Sequence, residues 1–248
     1  MKLQVITHCY CPPGLEHYAN ALVWHFGSLC AHPGSKFESI KLTVCYTGHD
    51  KATEQTIAGF GFADEPSNVM LEPIAFSREE LFRRAIGRNY VAKQTDADVV
   101  HFADTDYIYG PGFLDAIHDH FANGAEFIYP RKYKINVDHE TGDRMLEQSP
   151  DEWFSIDQSK FKPTGLRKAI GGLMFVSGDV ARRGYLDGSR KWMKPVDPSQ
   201  GFQRCHCDTA YRRSLLPNTF KGVDAQWIYR LRHTENGREF NAKGEKRA

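Results

Sequence analysis

The sequence predicts an α/β fold with a mostly parallel central sheet flanked by helices, and a small antiparallel portion in its second half. Three observations carry this. Short apolar runs alternate with helical patterns through the first half. One run, Val99–Ala103, is almost wholly apolar, as in a strand buried on both faces. In the second half the alternation lapses into short strands separated by turn residues.

Residues 2–7 read as the first strand and 15–28 as a helix, ended by Ala31-His32-Pro33-Gly34. Residues 40–46 form a second strand, 52–60 a short helix and 69–73 a third strand. Ser77-Arg78-Glu79-Glu80 is a capping box, in which the Ser hydroxyl and the Glu carboxylate satisfy each other's free amides. Leu81, Phe82, Ala85, Ile86, Tyr90 and Val91 then recur at helical spacing. The fourth strand, Val99–Ala103, is followed by a helix over 112–121, stopped by Asn123-Gly124, and a strand over 126–129. Strand–helix–strand alternation implies parallel strands with crossover helices, and open sheets of this kind bind ligands at the strand ends.

Residues 133–137 with Glu140-Thr141-Gly142-Asp143 suggest a hairpin, and 149–168 is a polar candidate loop. A strand over 170–177 begins with Gly171-Gly172. A helix over 208–216, halted at Pro217, and a strand over 228–231 complete the pattern. No repeat or linker divides the chain, so residues 1–233 are expected to form one domain with a polar tail at 234–248.

The 248 residues carry 32 Lys plus Arg against 31 Asp plus Glu, a net charge of +1, so no whole-molecule field is available to grip nucleic acid or an anionic membrane. A local basic patch stays open. No apolar run is long enough to span a bilayer. The start of the chain is too polar for a signal peptide, and six Cys are too few for a disulfide scaffold. The expectation is a reduced, cytoplasmic protein with no transmembrane segment.

The most informative segment is Val99-Val100-His101-Phe102-Ala103-Asp104-Thr105-Asp106. A buried strand runs straight into two carboxylates, which are costly in an apolar setting unless a positive group neutralises them. A divalent metal carrying a phosphorylated ligand would do so. An acidic turn capping the next helix is the alternative.

Around this segment the sequence resembles the family 2 glycosyltransferases of the GT-A fold. The resemblance runs through Arg88-Asn89-Tyr90-Val91-Ala92-Lys93, the Asp104-Thr105-Asp106 strand end and Pro111-Gly112-Phe113-Leu114. It continues through Gly171-Gly172-Leu173-Met174-Phe175-Val176 with Ala181-Arg182-Arg183-Gly184-Tyr185-Leu186-Asp187, and Cys207-Asp208-Thr209-Ala210-Tyr211-Arg212. It implies a single GT-A-type domain, with 1–129 as the nucleotide-sugar-binding half and 130–233 as the acceptor-binding and catalytic half.

The resemblance also implies site roles. Asp106 would bind the metal, with His233 completing its site, and an imidazole ligand leans the choice toward Mn²⁺ over Mg²⁺. Asp208 would be the catalytic base. Thr7, Asp50, Arg88, Asp104 and Gly172 would contact the donor, Asp104 at the ribose, Arg88 near the base or phosphates, and Asp50 at uracil or ribose. The implied donor is a nucleotide-diphosphate sugar. The acceptor stays open among a saccharide, a lipid-linked sugar, a protein side chain and a modified nucleobase.

The sequence departs from the family pattern in Thr47-Gly48-His49-Asp50 where an acidic run is common, in Cys207 where Glu is usual, and in Thr7-His8-Cys9-Tyr10-Cys11 at the first strand end. These departures bear on the donor more than on the reaction.

A proton must leave the acceptor as its oxygen attacks, and Asp208 at a helix start is placed to take it. Attack from the face opposite the leaving group would invert the anomeric carbon. Asp208 as a simple helix cap and His233 as a structural residue are the competing readings. Cys9, Cys11, Cys205 and Cys207 could stay reduced, bind zinc or pair. Trp153, Phe154, Trp192, Phe202 and Trp227 could line an acceptor groove or pack a core. Arg131-Lys132-Tyr133-Lys134 and Arg230-Leu231-Arg232 could bind a phosphate-bearing acceptor or form a solvated basic face.

A nucleotidyltransferase of related topology is a second enzymatic reading, but Cys11-Pro12-Pro13-Gly14-Leu15 lacks the basic phosphate loop it needs. A non-catalytic nucleotide-sugar or glycan-binding protein is the third.

Overall fold

The computed structural model describes residues 1–60, 68–147, 156–196, 206–215, 220–225 and 227–233. Eleven strands lie among them: β1 (Lys2–His8), β2 (Ser39–Tyr46), β3 (Val69–Ala75), β4 (Val99–Ala103), β5 (Tyr107–Tyr109), β6 (Phe127–Pro130), β7 (Lys132–Asn136), β8 (Phe161–Gly165), β9 (Leu173–Ser177), β10 (Lys221–Val223) and β11 (Ile228–Arg230). The α-helices there are α1 (Ala19–Ala31), α2 (Lys51–Phe60), α3 (Arg78–Leu81), α4 (Arg84–Gln94), α5 (Phe113–Ala122), α6 (His139–Glu147), α7 (Gly178–Arg182) and α8 (Cys207–Ser214).

Seven strands form the central sheet in the order β10-β6-β9-β4-β1-β2-β3, and β5-β11-β7-β8 form a second, smaller sheet. In the large sheet β9 alone runs against its neighbours β4 and β6. The pairs β4–β1, β1–β2, β2–β3 and β6–β10 are parallel. The expected α/β class, with its mostly parallel sheet and a small antiparallel portion in the second half, is what the chain adopts.

All five residues of β4 are buried, as its unbroken apolar run requires. Val99 and Ala103 point into a cluster with Leu22, Phe26 and Ile117 of α1 and α5. Val100 and Phe102 point the other way, against Ala85, Val91 and Val180 of α4 and α7. Helices therefore cover both faces, and the sheet's alternating side chains feed two cores.

Several sequence expectations change. The capping box forms at Ser77 and Glu80, but the helix it starts ends at Leu81 and restarts at Arg84, so one expected helix is two. The 140–143 segment is not a hairpin turn: it lies within α6. Gly142 is there because any side chain at this position would collide with the Arg232 carbonyl. The antiparallel partner of β7 is β8, inside the span expected to be a polar loop. Asp208 is not an N-cap, since His206 holds that position. Among the described residues no helix is long and apolar enough to cross a membrane.

Candidate functional site

The site grows from the carboxyl end of β4. Where β4 stops, Asp104 turns toward α4 and meets two arginines one helical turn apart. Arg84 Nη1 makes a short contact with Asp104 Oδ1, and Arg88 Nη2 donates to the same oxygen at 3.1 Å. The i, i+4 spacing puts both guanidinium groups on one helix face. Arg88 is fully buried. Its Nη2 also donates to the Ala103 carbonyl at 3.1 Å, and its Nη1 to Tyr185 Oη at 3.1 Å and Asp208 Oδ1 at 2.7 Å. Burial opposes its charge, but Tyr185, Asp208 and Asp104 together outweigh that penalty and hold it above the usual arginine value.

Asp208 sits in the first turn of α8. Its Oδ1 accepts from Tyr185 Oη at 2.6 Å as well as from Arg88, with Cys207 Sγ at 3.6 Å. Its Oδ2 faces the Cα of Gly171, where any side chain would collide with the carboxylate. Gly172 stands equally close to the Tyr107 ring, and a side chain there would come 3.1 Å from Asp104 Oδ2. The antiparallel register explains this: β9 starts at Leu173, paired with Ala103, so the two glycines that precede it lie beside the acids that follow β4. Asp104, Asp208, Arg88 and Gly172, expected in one site, are together.

Asp106 turns the other way. Its Oδ2 accepts from Arg230 Nε at 2.9 Å, and its carbonyl accepts from the Leu231 amide at 2.7 Å. The carboxylate of Asp106 is the main reason that the Arg230 pKa stands well above the usual arginine value, outweighing burial, which opposes the charge. Asp106 Oδ1 is buried and has no hydrogen-bond partner among the described residues. An orphaned carboxylate oxygen suits a divalent cation, which readily fills its other positions from phosphate and water. His233 lies two residues beyond Leu231, and its ring is tilted against Tyr18, 5.0 Å between centroids. The described residues contain no group of three or more His, Cys, Asp or Glu able to hold a metal by themselves. A cation here would have Asp106 as its main protein anchor and would need a ligand's oxygens to complete its coordination.

Thr7 lies near the end of β1, and Asp50 in the turn that joins the neighbouring β2 to α2. Thr7 is fully buried at the end of β1, and its Oγ1 has no partner among the described residues. Asp50 is engaged locally: Oδ2 accepts from the Cys11 amide and Thr53 Oγ1, each at 2.6 Å, and Oδ1 from the Thr53 amide at 3.1 Å. It starts α2 and pins the 9–11 loop to it. Arg88 likewise spends its bonds on protein, behind the two carboxylates.

Sequence reasoning missed Arg84, Tyr185 and His8, and did not pair Arg230 with Asp106. The spacing of Arg84 from Arg88 was a usable signal, whereas Tyr185 and Arg230 arrive only through tertiary folding. His8 is buried against Gly87 at the end of β1, and neither ring nitrogen has a partner among the described residues. Burial, helped by Arg88 and Arg84, lowers its pKa far below the ordinary value, so it is a neutral imidazole.

The described cysteines are free thiols. Cys9 and Cys11 share the Thr53 hydroxyl, at 3.3 and 3.6 Å. Cys205, Trp153, Phe154 and Phe202 lie outside the described residues. Trp192 is half-buried and carries Lys191 over its ring at 4.2 Å, and Trp227 carries Lys134 at 5.0 Å.

No protein-family model and no curated protein matches the chain. Among solved structures, the crystal structure of S. aureus TarS, a GT-A-type glycosyltransferase, is similar to it. The TM-score is 0.43 at 14% identity, over 74% of this chain. The chain spans 29% of the length of that protein. Its functional reading therefore comes from its own residues.

Proposed function

We propose that this chain is a metal-dependent glycosyltransferase that moves a sugar from a nucleotide-diphosphate sugar to an acceptor hydroxyl, with inversion. The observation that supports it most is the convergence of Asp104 and Asp208 on the buried Arg88, beside Gly171 and Gly172. This happens at the carboxyl ends of strands, where open α/β sheets take ligands. Buried polar atoms on Thr7, His8 and Asp106 stand there without hydrogen-bond partners among the described residues, as expected of groups that meet a ligand.

In this reading Asp208 is the general base. Its Oδ1 is occupied by Arg88 and Tyr185, which fix the carboxylate and keep negative charge on it. That leaves Oδ2, which fits against Gly171 because no side chain stands there, to take the acceptor proton. As the acceptor oxygen bonds to the anomeric carbon, the bond to the diphosphate oxygen breaks and the electron pair leaves with the nucleoside diphosphate. Asp106 and His233 would hold Mn²⁺ or Mg²⁺, which when bound supplies Lewis-acid stabilisation of the departing diphosphate. Asp104 contacts the donor's ribose, with Gly172 giving close backbone approach. Thr7 contacts the nucleotide, Asp50 acts through the 9–11 loop it anchors, and Arg88 acts through the Asp104 carboxylate.

A thermal-shift screen of nucleotide-sugars with and without Mn²⁺ tests this, since a ligand of the folded state raises its stability. One donor should stabilise the protein with Mn²⁺ and be slowly hydrolysed. Asp106→Ala should lose hydrolysis, and Asp208→Asn should keep binding but lose transfer. Binding without release under any acceptor would favour a binding protein, and no stabilisation by any nucleotide-sugar would sink the proposal.

A further inference from the structure

His101 is the one polar residue of β4, among Val99, Val100, Phe102 and Ala103. Its ring is fully buried and stacks on Phe175, its partner across the β4–β9 ladder, with 3.8 Å between centroids. A buried polar ring is costly unless its nitrogens are bonded, and both are. Nε2 lies 3.1 Å from the Gly172 carbonyl oxygen, and Nδ1 lies 2.8 Å from Tyr109 Oη. A carbonyl can only accept, so Nε2 carries the hydrogen and Nδ1 accepts from the Tyr109 hydroxyl. Burial lowers the imidazole pKa well below its ordinary value and raises that of the Tyr109 phenol, so both groups are neutral. Each bond therefore has one direction, from Tyr109 through His101 to Gly172.

The two bonds reach the two sides of the candidate site. Gly172 stands one residue before β9 begins, where a side chain would come 3.1 Å from Asp104 Oδ2, and Gly171 before it fits against Asp208 Oδ2. Tyr109 ends β5, the short strand that follows the turn bearing Asp104 and Asp106. It is anchored in its own right, since its amide donates to Ser28 Oγ on α1 at 3.0 Å. The bond from Tyr109 closes the 101–109 segment that carries both acids, and the bond to Gly172 sets the glycine pair beside them. A phenylalanine could stack on Phe175 but would hold neither group. A polar network that is satisfied at both ends fixes one arrangement of the groups it joins.

We propose that His101 is a positioning residue: through Tyr109 and Gly172 it holds the acidic turn and the glycine pair at a fixed spacing, so that Asp208 Oδ2 keeps its place beside Gly171 during transfer. The catalytic consequence rests on the transferase reading. His101 touches neither donor nor acceptor in that reading, and acts through the backbone of Gly172.

Three variants of the full chain test it. His101→Phe keeps a ring against Phe175 but no donor, His101→Gln has an amide able to donate to the Gly172 carbonyl, and Tyr109→Phe removes a single hydroxyl. In isotope-labelled wild type, nuclear magnetic resonance of the His101 ring should report hydrogen on Nε2 alone. The Gly171 and Gly172 amide signals should move in His101→Phe and return toward their wild-type positions in His101→Gln. With nucleotide-sugar and Mn²⁺, kcat should fall by about 100-fold in His101→Phe, with about tenfold recovered in His101→Gln, the scale of a displacement of about 1 Å. Donor KM should change little, as for an interaction made in the transition state. A ring that only packs the core would lower the urea midpoint of His101→Phe and leave the glycine signals and the kcat of the folded protein in place. That result, or hydrogen on Nδ1 in the wild type, would overturn the proposal. Should His101→Phe not fold, Tyr109→Phe decides: a moved Gly172 signal with a lower kcat supports the role, and no change in either overturns it. If the wild type is neither stabilised by any nucleotide-sugar nor able to release nucleoside diphosphate, the transferase reading fails, while the ring and glycine signals still decide whether His101 holds the two sides together.

Discussion

Arg88 Nη1 lies 2.7 Å from Asp208 Oδ1, joining α4 to the first turn of α8 across 120 residues of chain. The same guanidinium reaches Asp104 through Nη2. One buried cation thus fixes the spacing of the two carboxylates on which the proposed chemistry depends.

Removing that cation should be costly. Arg88→Met leaves Asp104 and Asp208 facing each other without the charge between them, and breaking a buried pair of this kind costs about 3–5 kcal/mol. Arg88→Lys should recover only part of this, because an ammonium cannot reproduce the two-pronged fork. Urea denaturation of the three proteins checks it, and equal midpoints would show that the bridge contributes nothing.

Gly171→Ala tests the free oxygen of Asp208. The new methyl group meets Oδ2, so transfer should fall by about 100-fold, the scale of a small misplacement at a reacting centre. Donor binding, read by thermal shift, should persist. An active Gly171→Ala protein would move the base elsewhere.

Asp50 should matter to stability in a graded way. Its carboxylate takes three donors from Cys11 and Thr53. Asp50→Ala removes the start of α2, for about 1–2 kcal/mol, and frees the 9–11 loop. Asp50→Asn keeps one carbonyl acceptor and should lose less. Thermal midpoints in that order, with a weaker nucleotide shift in the Ala variant, are the expected result.

Acid should destabilise the fold before its carboxylates titrate. His8, His25 and His101 are buried neutral imidazoles. Burial lowers His25 from 6.5 to about 4, only partly opposed by its bond to the Tyr107 carbonyl. Burial is also the main cause at His8 and His101, both lowered well below 6.5. As pH falls below 6.5, the unfolded chain binds protons that the folded chain refuses. The stability these groups give is present above that value and is lost as pH falls toward their folded pKa values. Each contributes up to ~1.4 kcal/mol per pH unit in this window. Denaturation at pH 7.5 and 5 should show the loss, and His25→Gln should flatten the slope by one proton; a chain equally stable at both pH values would contradict it.

Much of the central sheet was legible because its signals are local. The unbroken apolar run of β4 and the capping box at Ser77 and Glu80 depend on residues within one turn or strand. The 140–143 turn failed for the opposite reason. Gly142 looks like a turn residue in sequence, but tertiary contact with the Arg232 carbonyl uses it inside a helix. Strands β5 and β10, of three residues each, are too short to show a period.

By itself, the sequence determined the class of fold and the acids at the end of β4, because hydrophobic alternation and the cost of buried carboxylates are properties of neighbouring residues. Only the tertiary structure decided which partners those acids have. Arg84 and Arg88 face Asp104, Arg230 faces Asp106, and Tyr185 faces Asp208. Those pairings follow from strand register and helix packing over long stretches of chain, and no local pattern encodes the distance between two groups that meet only when the sheet has formed.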